Sequence, residues 1–126
     1  MVQKLVFIVA LVAFCIVSIV NGKAVNVLKE HNVVQCPNAT QAVNLLCTKD
    51  LSESGKIFQH IKEYIDCPAT GVNTKPITCI QVINQMGDDG GDASIVTGGV
   101  GYTSVEIELI SQTSKGLDYH IDVYTE

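Results

Sequence analysis

Two runs near the end of the chain alternate strictly between apolar and polar residues. Val105, Ile107 and Leu109 are interleaved with Glu106 and Glu108, and Leu117, Tyr119, Ile121 and Val123 with Asp118, His120 and Asp122. A period of two puts every second side chain on the same face, which describes a β-strand with one wet side and one dry side. Four β-rich runs are read from Ile77 onward: Ile77–Gln85, Ala93–Thr97, Ser104–Gln112 and Leu117–Tyr124. Glycine-bearing stretches separate them at 86–92, 98–101 and 113–116, and links this short imply antiparallel pairing. A three-residue loop, Ser114-Lys115-Gly116, would join the last two as a hairpin, with Leu109 opposite Ile121 and Gly116 in the left-handed conformation; a five-residue loop keeps the same parity. Upstream the pattern is ambiguous. Ile57–Ile65 reads equally as an amphipathic helix or as a strand, and Thr40–Cys47 is undecided, while Ser52-Glu53-Ser54-Gly55 signals a turn.

The other end of the chain constrains the compartment. Lys4 is followed by an apolar run from Leu5 to Val20 and by the small residues around Gly22. This is the layout of a secretory signal peptide over residues 1–22, and sixteen residues fall short of the ~20 that cross a bilayer. Removing 22 of the 126 residues leaves a single domain, 23–126, of 104 residues. It also takes Cys15 and Lys4, so that four cysteines remain and seven Lys face 13 acids, a formal charge of −6.

An even cysteine count in a short exported chain implies a disulfide framework. Cys36, Cys47, Cys67 and Cys79 are separated by 11, 20 and 12 positions, with no Cys-x-x-Cys pair of the kind zinc uses. Three pairings are open. Cys36-Pro37 and Cys67-Pro68 each begin a stretch that ends at another Cys, which favours two local bridges, Cys36–Cys47 and Cys67–Cys79. Asn38-Ala39-Thr40 satisfies the N-glycosylation pattern, making Asn38 the expected acceptor.

Candidate chemistry is sparse. The chain has no Arg and is acidic, which opposes direct nucleic-acid binding. Glu106, Glu108, Asp118, His120 and Asp122 would share the polar face of the final hairpin, where a divalent cation is one reading and a solvated surface the favoured one. Gly87-Asp88-Asp89-Gly90-Gly91-Asp92 lacks the terminal Glu of a calcium loop and reads as a strand connection. Gly98-Gly99-Val100-Gly101 precedes a strand rather than a helix, so it fits positive φ angles or a bulge better than a phosphate cradle. His31, His60 and His120 stand in unrelated contexts and no nucleophile motif is present, so no catalytic residue, metal ligand or cofactor is expected.

Taken together, Ile80–Gln85, Ala93–Gly101, Val105–Gln112 and Lys115–Tyr124 resemble the insect multiprotein bridging factor 2 family over roughly Ile77 to Tyr124. The shared pattern is Gly98, Gly99 and Gly101 at a strand break, a strand ending in Ser111-Gln112, the turn glycine Gly116, and a last strand closing on an aliphatic residue and Tyr124. Thr113 and Thr125-Glu126 depart from it, where relatives often carry Arg and Gly. The resemblance favours strand over helix near Gly55–Ile65. It implies one of two roles: a coactivator linking a DNA-bound regulator, through a bridging protein, to general transcription factor IIA, or one of the small exported relatives without defined activity.

The expected fold is therefore all-β, a small antiparallel β-sandwich or barrel-like meander of six to seven strands stapled by disulfides. The expected role is that of a secreted, extracellular, non-enzymatic protein binding an unidentified protein or small ligand, with no direct nucleic acid and no membrane after leader cleavage. The alternatives are a transcriptional coactivator working through protein contacts, and a secreted enzyme or metal-dependent binder using the Glu106–Asp122 face.

Overall fold

The computed structural model describes residues 31–126; the expected leader and its cleavage point lie outside them. Seven strands follow one another: β1 (Val33–Gln35), β2 (Asn44–Glu53), β3 (Lys62–Cys67), β4 (Ile77–Asn84), β5 (Asp92–Gly98), β6 (Val105–Ile110) and β7 (Leu117–Thr125). They form a four-stranded sheet in the order β1-β4-β7-β2 and a three-stranded sheet in the order β3-β6-β5. Every pairing is antiparallel. Of the two all-β architectures expected, the chain adopts the sandwich.

The alternation drives this arrangement. Along β7 the odd positions from Leu117 to Thr125 are buried and the even ones half-exposed, and β6 repeats the pattern from Val105 to Leu109. Tyr119, Ile121, Val123 and Leu117 from β7 meet Ile107, Leu109, Val105 and Ala93 of the other sheet in one core, with Ile80 and Val82 from β4. Sinking side chains of this size contributes about 1.5–3 kcal/mol each.

The hairpin expected between the last two strands does not form. Leu109 pairs with Glu63 and Ala93, whereas Ile121 pairs with Lys49 and Val82. The 111–116 link carries the chain from one sheet to the other, and Ser114 rather than Gly116 takes the positive φ, at 65°. Two half-buried strands on a short link satisfy their apolar faces equally well edge to edge or across a core. Parity of the alternation fits both. The β5–β6 pair, joined through Gly98–Gly101, is the one consecutive pair of described strands that are also neighbours.

The ambiguous first half resolves into short pieces. Ala39–Gln41 is a 3-10 turn leading to β2, Ile57 and Phe58 lie in a turn, and the strand reading of Ile57–Ile65 holds only from Lys62, where β3 begins.

The four cysteines are paired, but as Cys36–Cys79 and Cys47–Cys67. The local pairing fails for a topological reason. Cys36 follows β1 and Cys47 lies on β2, at opposite edges of one sheet with β4 and β7 between them. Three ladder spacings separate those edges by ~14 Å, beyond the reach of a disulfide. Cys36 instead continues the register that sets Gln35 against Ile80, and meets Cys79 with 4.2 Å between Cα atoms. Cys47 and Cys67 join β2 to β3, an edge strand of each sheet, with Cα atoms 6.2 Å apart.

Candidate functional site

The acidic groups expected on one face are divided between two. Glu106 and Glu108 lie on the outer side of the three-stranded sheet, and Asp118, His120 and Asp122 on the outer side of the four-stranded sheet. The core separates them, so no shared cation site exists there. Among the described residues, no three His, Cys, Asp or Glu groups are placed to hold a metal ion.

On the four-stranded face, His120 is gripped by two carboxylates. Its Nδ1 lies 2.6 Å from Asp50 Oδ1 and its Nε2 2.9 Å from Asp122 Oδ2. Register explains the contact, since Asp50 on β2 is directly opposite His120 on β7. The hydrogen bond to Asp50 first, and that to Asp122 second, hold the imidazole pKa above its usual 6.5. On the three-stranded face, Tyr64 Oη donates to Glu108 Oε2 at 2.9 Å, which raises the phenol pKa. Beside it Glu106 is opposite Asp66, and a hydrogen bond between the two carboxyls raises the pKa of Glu106.

The residues Ser111, Gln112, Gly98 and Gly116 serve architecture. Ser111 is buried where β6 ends. Its Oγ accepts from Ile61 N–H at 2.7 Å, its own N–H donates to the Ile61 carbonyl at 2.8 Å, and its carbonyl lies 2.8 Å from His60 Nδ1. Gln112 Nε2 donates to the carbonyls of Asp88 and Gly90, each at 2.8 Å, so two adjacent residues fasten two separate loops to the end of β6. At the other end of that strand Gly98 has φ 71°, and a side chain there would collide with the Ser104 carbonyl. Gly99 and Gly101, also at positive φ, turn the chain back into β6. This is the bulge-and-turn use of the glycines, with Gly101 N–H donating to the Ile77 carbonyl at 2.8 Å. Gly116 leaves no room for a side chain against the Glu53 carbonyl. Tyr124 is half-exposed on the outer side of β7.

Asn38 is exposed and begins the Ala39–Gln41 turn, its Oδ1 accepting from Thr40 N–H at 3.1 Å and from Thr40 Oγ1 at 2.6 Å. A cleft of about 280 Å³ opens between the β2 and β3 edges beside the Cys47–Cys67 bridge, with Lys49, Tyr64 and Asp66 on its walls. Another of about 300 Å³ lies at the start of β6 between Asp66, Glu106 and Pro68. Both are shallow and carry no nucleophile–base pair.

The feature that sequence reading missed is the apex of the β2–β3 loop. Ile57 and Phe58, taken as part of an amphipathic element, are 75% and 88% exposed. The Ser52-Glu53-Ser54-Gly55 run gave no signal of this apex: Ser52 and Glu53 complete β2, and the turn comes later, at Ile57 and Phe58.

A family model described as transcription activator MBF2 matches residues 36–125, taking in all seven strands except β1 and both disulfides. The chain belongs to that family. No curated protein and no solved structure matches it. Ser111, Gln112, the Gly98–Gly101 turn and Tyr124 all fall within the matched residues.

Proposed function

We propose that this MBF2-family chain is a secreted, non-enzymatic interaction protein, whose ligand is a protein or a small molecule. The observation that carries the reading is the pairing of Cys36 with Cys79 and of Cys47 with Cys67. Structural disulfides persist in oxidising compartments and are reduced in the cytosol and nucleus. The apolar leader-like run from Leu5 to Val20 and the exposed Asn38 sequon support the same route. Binding rather than catalysis is favoured because each described His is engaged in a structural contact and the clefts are shallow.

Intact mass before and after reduction and glycosidase treatment tests it. The expected product starts at Lys23, gains four mass units on reduction, and loses a glycan that Asn38→Gln abolishes. The family description favours a second reading, a coactivator working through protein contacts. Full-length chain in nuclei with alkylatable cysteines would establish that reading and sink the first.

A further inference from the structure

The β2–β3 loop turns at Lys56–Gln59, closed by Gln59 N–H donating to the Lys56 carbonyl at 3.1 Å. Phe58 is the third residue of this turn, with φ 62°. Turns with that geometry ordinarily place Gly or Asn there, because the left-handed region costs a bulky residue about 1–2 kcal/mol. The conformation is nevertheless enforced. Phe58 N–H donates to Ser114 Oγ at 2.8 Å, and Ser114 N–H to the Gln59 carbonyl at 2.9 Å. One residue further, His60 is held at both ring nitrogens, by the Ser111 carbonyl at 2.8 Å and by Thr113 Oγ1 at 3.0 Å. Ile61 then anchors the loop in the core. Backbone strain and hydrogen bonds are thus spent on holding an Ile-Phe pair in water, where it adds nothing to the core.

We propose that Ile57 and Phe58 form a preorganised knob that enters an apolar pocket on a protein partner, with acidic groups on the pocket rim facing Lys56. This rests on the binding reading above and names its contact surface. Aromatic anchors dominate interface energies, and holding one in its bound conformation removes an ordering cost. Fixed geometry rewards a shaped receptor; a bilayer accepts an apolar loop in any conformation. Charge points the same way. Lys56 is exposed and adjoins the knob, whereas Lys115 is engaged by Asp89 at 3.6 Å.

The first test uses a defined host, sulfobutyl-ether β-cyclodextrin, an apolar cavity with an anionic rim, alongside its neutral hydroxypropyl analogue. Amide shifts of the full mature chain should map to residues 56–60 and Ser114, with tighter binding to the anionic host. Phe58→Ser should weaken this about 30-fold, the equivalent of burying one aromatic side chain. Ser114→Ala, which keeps the knob and frees its frame, should weaken it several-fold, and Lys56→Glu should erase the preference for the anionic rim. Equal binding by a free 54–60 peptide, or no effect of Phe58→Ser, would overturn the proposal.

The second test places benzoylphenylalanine at position 58 and irradiates the chain in the fluid that contains it. An adduct displaced by excess wild type, but not by Phe58→Ser or Lys56→Glu, is the result expected; the absence of any such adduct counts against the knob. Phe58-dependent sedimentation with vesicles of 3:1 phosphatidylcholine and phosphatidylserine would replace the protein partner with a membrane. A Phe58-dependent fall in sedimentation coefficient on dilution would replace it with a second copy. Nuclear, reduced chain would overturn the secreted reading while leaving the host titrations unchanged, so the two failures are distinguishable.

Discussion

The two disulfides do different work. Cys36–Cys79 lies within one sheet, continuing a β1–β4 ladder that is already hydrogen-bonded, while Cys47–Cys67 crosses from one sheet to the other. The same division runs through the polar contacts. The Asp50–His120–Asp122 clamp and the Tyr64–Glu108 bond reinforce pairings that exist without them. Ser111 extends the β3–β6 ladder by one step, its Oγ accepting from Ile61 N–H, whereas Tyr119 Oη on β7 donates to the Gly91 carbonyl, just before β5 in the opposite sheet, at 2.9 Å. Ties within a sheet are redundant with the ladder; ties between sheets fix how the two layers sit on each other.

Removing each bridge in turn is the strongest test of that distinction. If stabilisation comes from the unfolded chain, the sequence separation decides the cost. Separations of 43 and 20 residues then correspond to about 4 kcal/mol for Cys36–Cys79 and about 3 kcal/mol for Cys47–Cys67. Denaturant melts of the paired Cys→Ser variants should rank in that order. Hydrogen exchange should rank them differently: without Cys36–Cys79 only the three-residue β1 opens early, whereas without Cys47–Cys67 protection falls along both β2 and β3. A reversed ranking in the melts would mean that the native cross-sheet constraint outweighs chain entropy.

The same distinction explains what could be read from the sequence. Alternation in Val105–Leu109 and Leu117–Val123 fixed which side chains are buried, since period two is a local property of each strand. Which sheet each strand joins is non-local, and the short 111–116 link is compatible with either answer. The cysteine pairing failed with it, because the Cys-Pro echo is local and the bridges are set by strand order. The glycines at 98, 99 and 101 were legible because positive φ leaves a direct mark on residue choice. Phe58 was not, because it occupies a glycine-type position without being glycine.

Smaller substitutions sharpen the comparison. Ser111→Ala removes the acceptor for Ile61 N–H in a buried setting and should cost about 1–3 kcal/mol, the usual penalty for an orphaned buried donor. Tyr119→Phe removes the hydrogen bond to Gly91 and should cost about 1 kcal/mol, with the ring still filling the core. Burial, with Asp92 nearby, pushes the Tyr119 phenol up to about 12, so its absorbance should titrate only in strong alkali or on unfolding. Thermal melts of the two variants measure the first pair of effects. A Ser111→Ala variant as stable as wild type would mean that the β3–β6 ladder holds Ile61 without the hydroxyl, whereas a stable Tyr119→Phe variant would remove Tyr119 from the cross-sheet ties.

The clamp around His120 should give the smallest effect, and its sign is fixed by the direction of the shift. Folding raises the imidazole pKa above 6.5, the hydrogen bond to Asp50 being the larger cause. The folded state therefore binds the proton more tightly than the unfolded chain. Its stabilisation is complete below pH 6.5 and fades as pH climbs through the higher folded value. Glu106 and Glu53, each raised by a hydrogen bond to a neighbouring carboxyl, act in the same sense from about pH 4.5 upward. Together they make the chain modestly more stable in mild acid than at neutral pH. These groups are solvent-accessible, so the gain is screened by salt and stays small. Histidine titration by NMR should place His120 above 6.5, and Asp50→Asn should bring it down more than Asp122→Asn does. Equal shifts from the two variants would mean that the contact across the β2–β7 ladder grips the ring no better than the one along β7. If neither variant moves it, the clamp does not exist in solution, and the outer face of this sheet is held by its backbone alone.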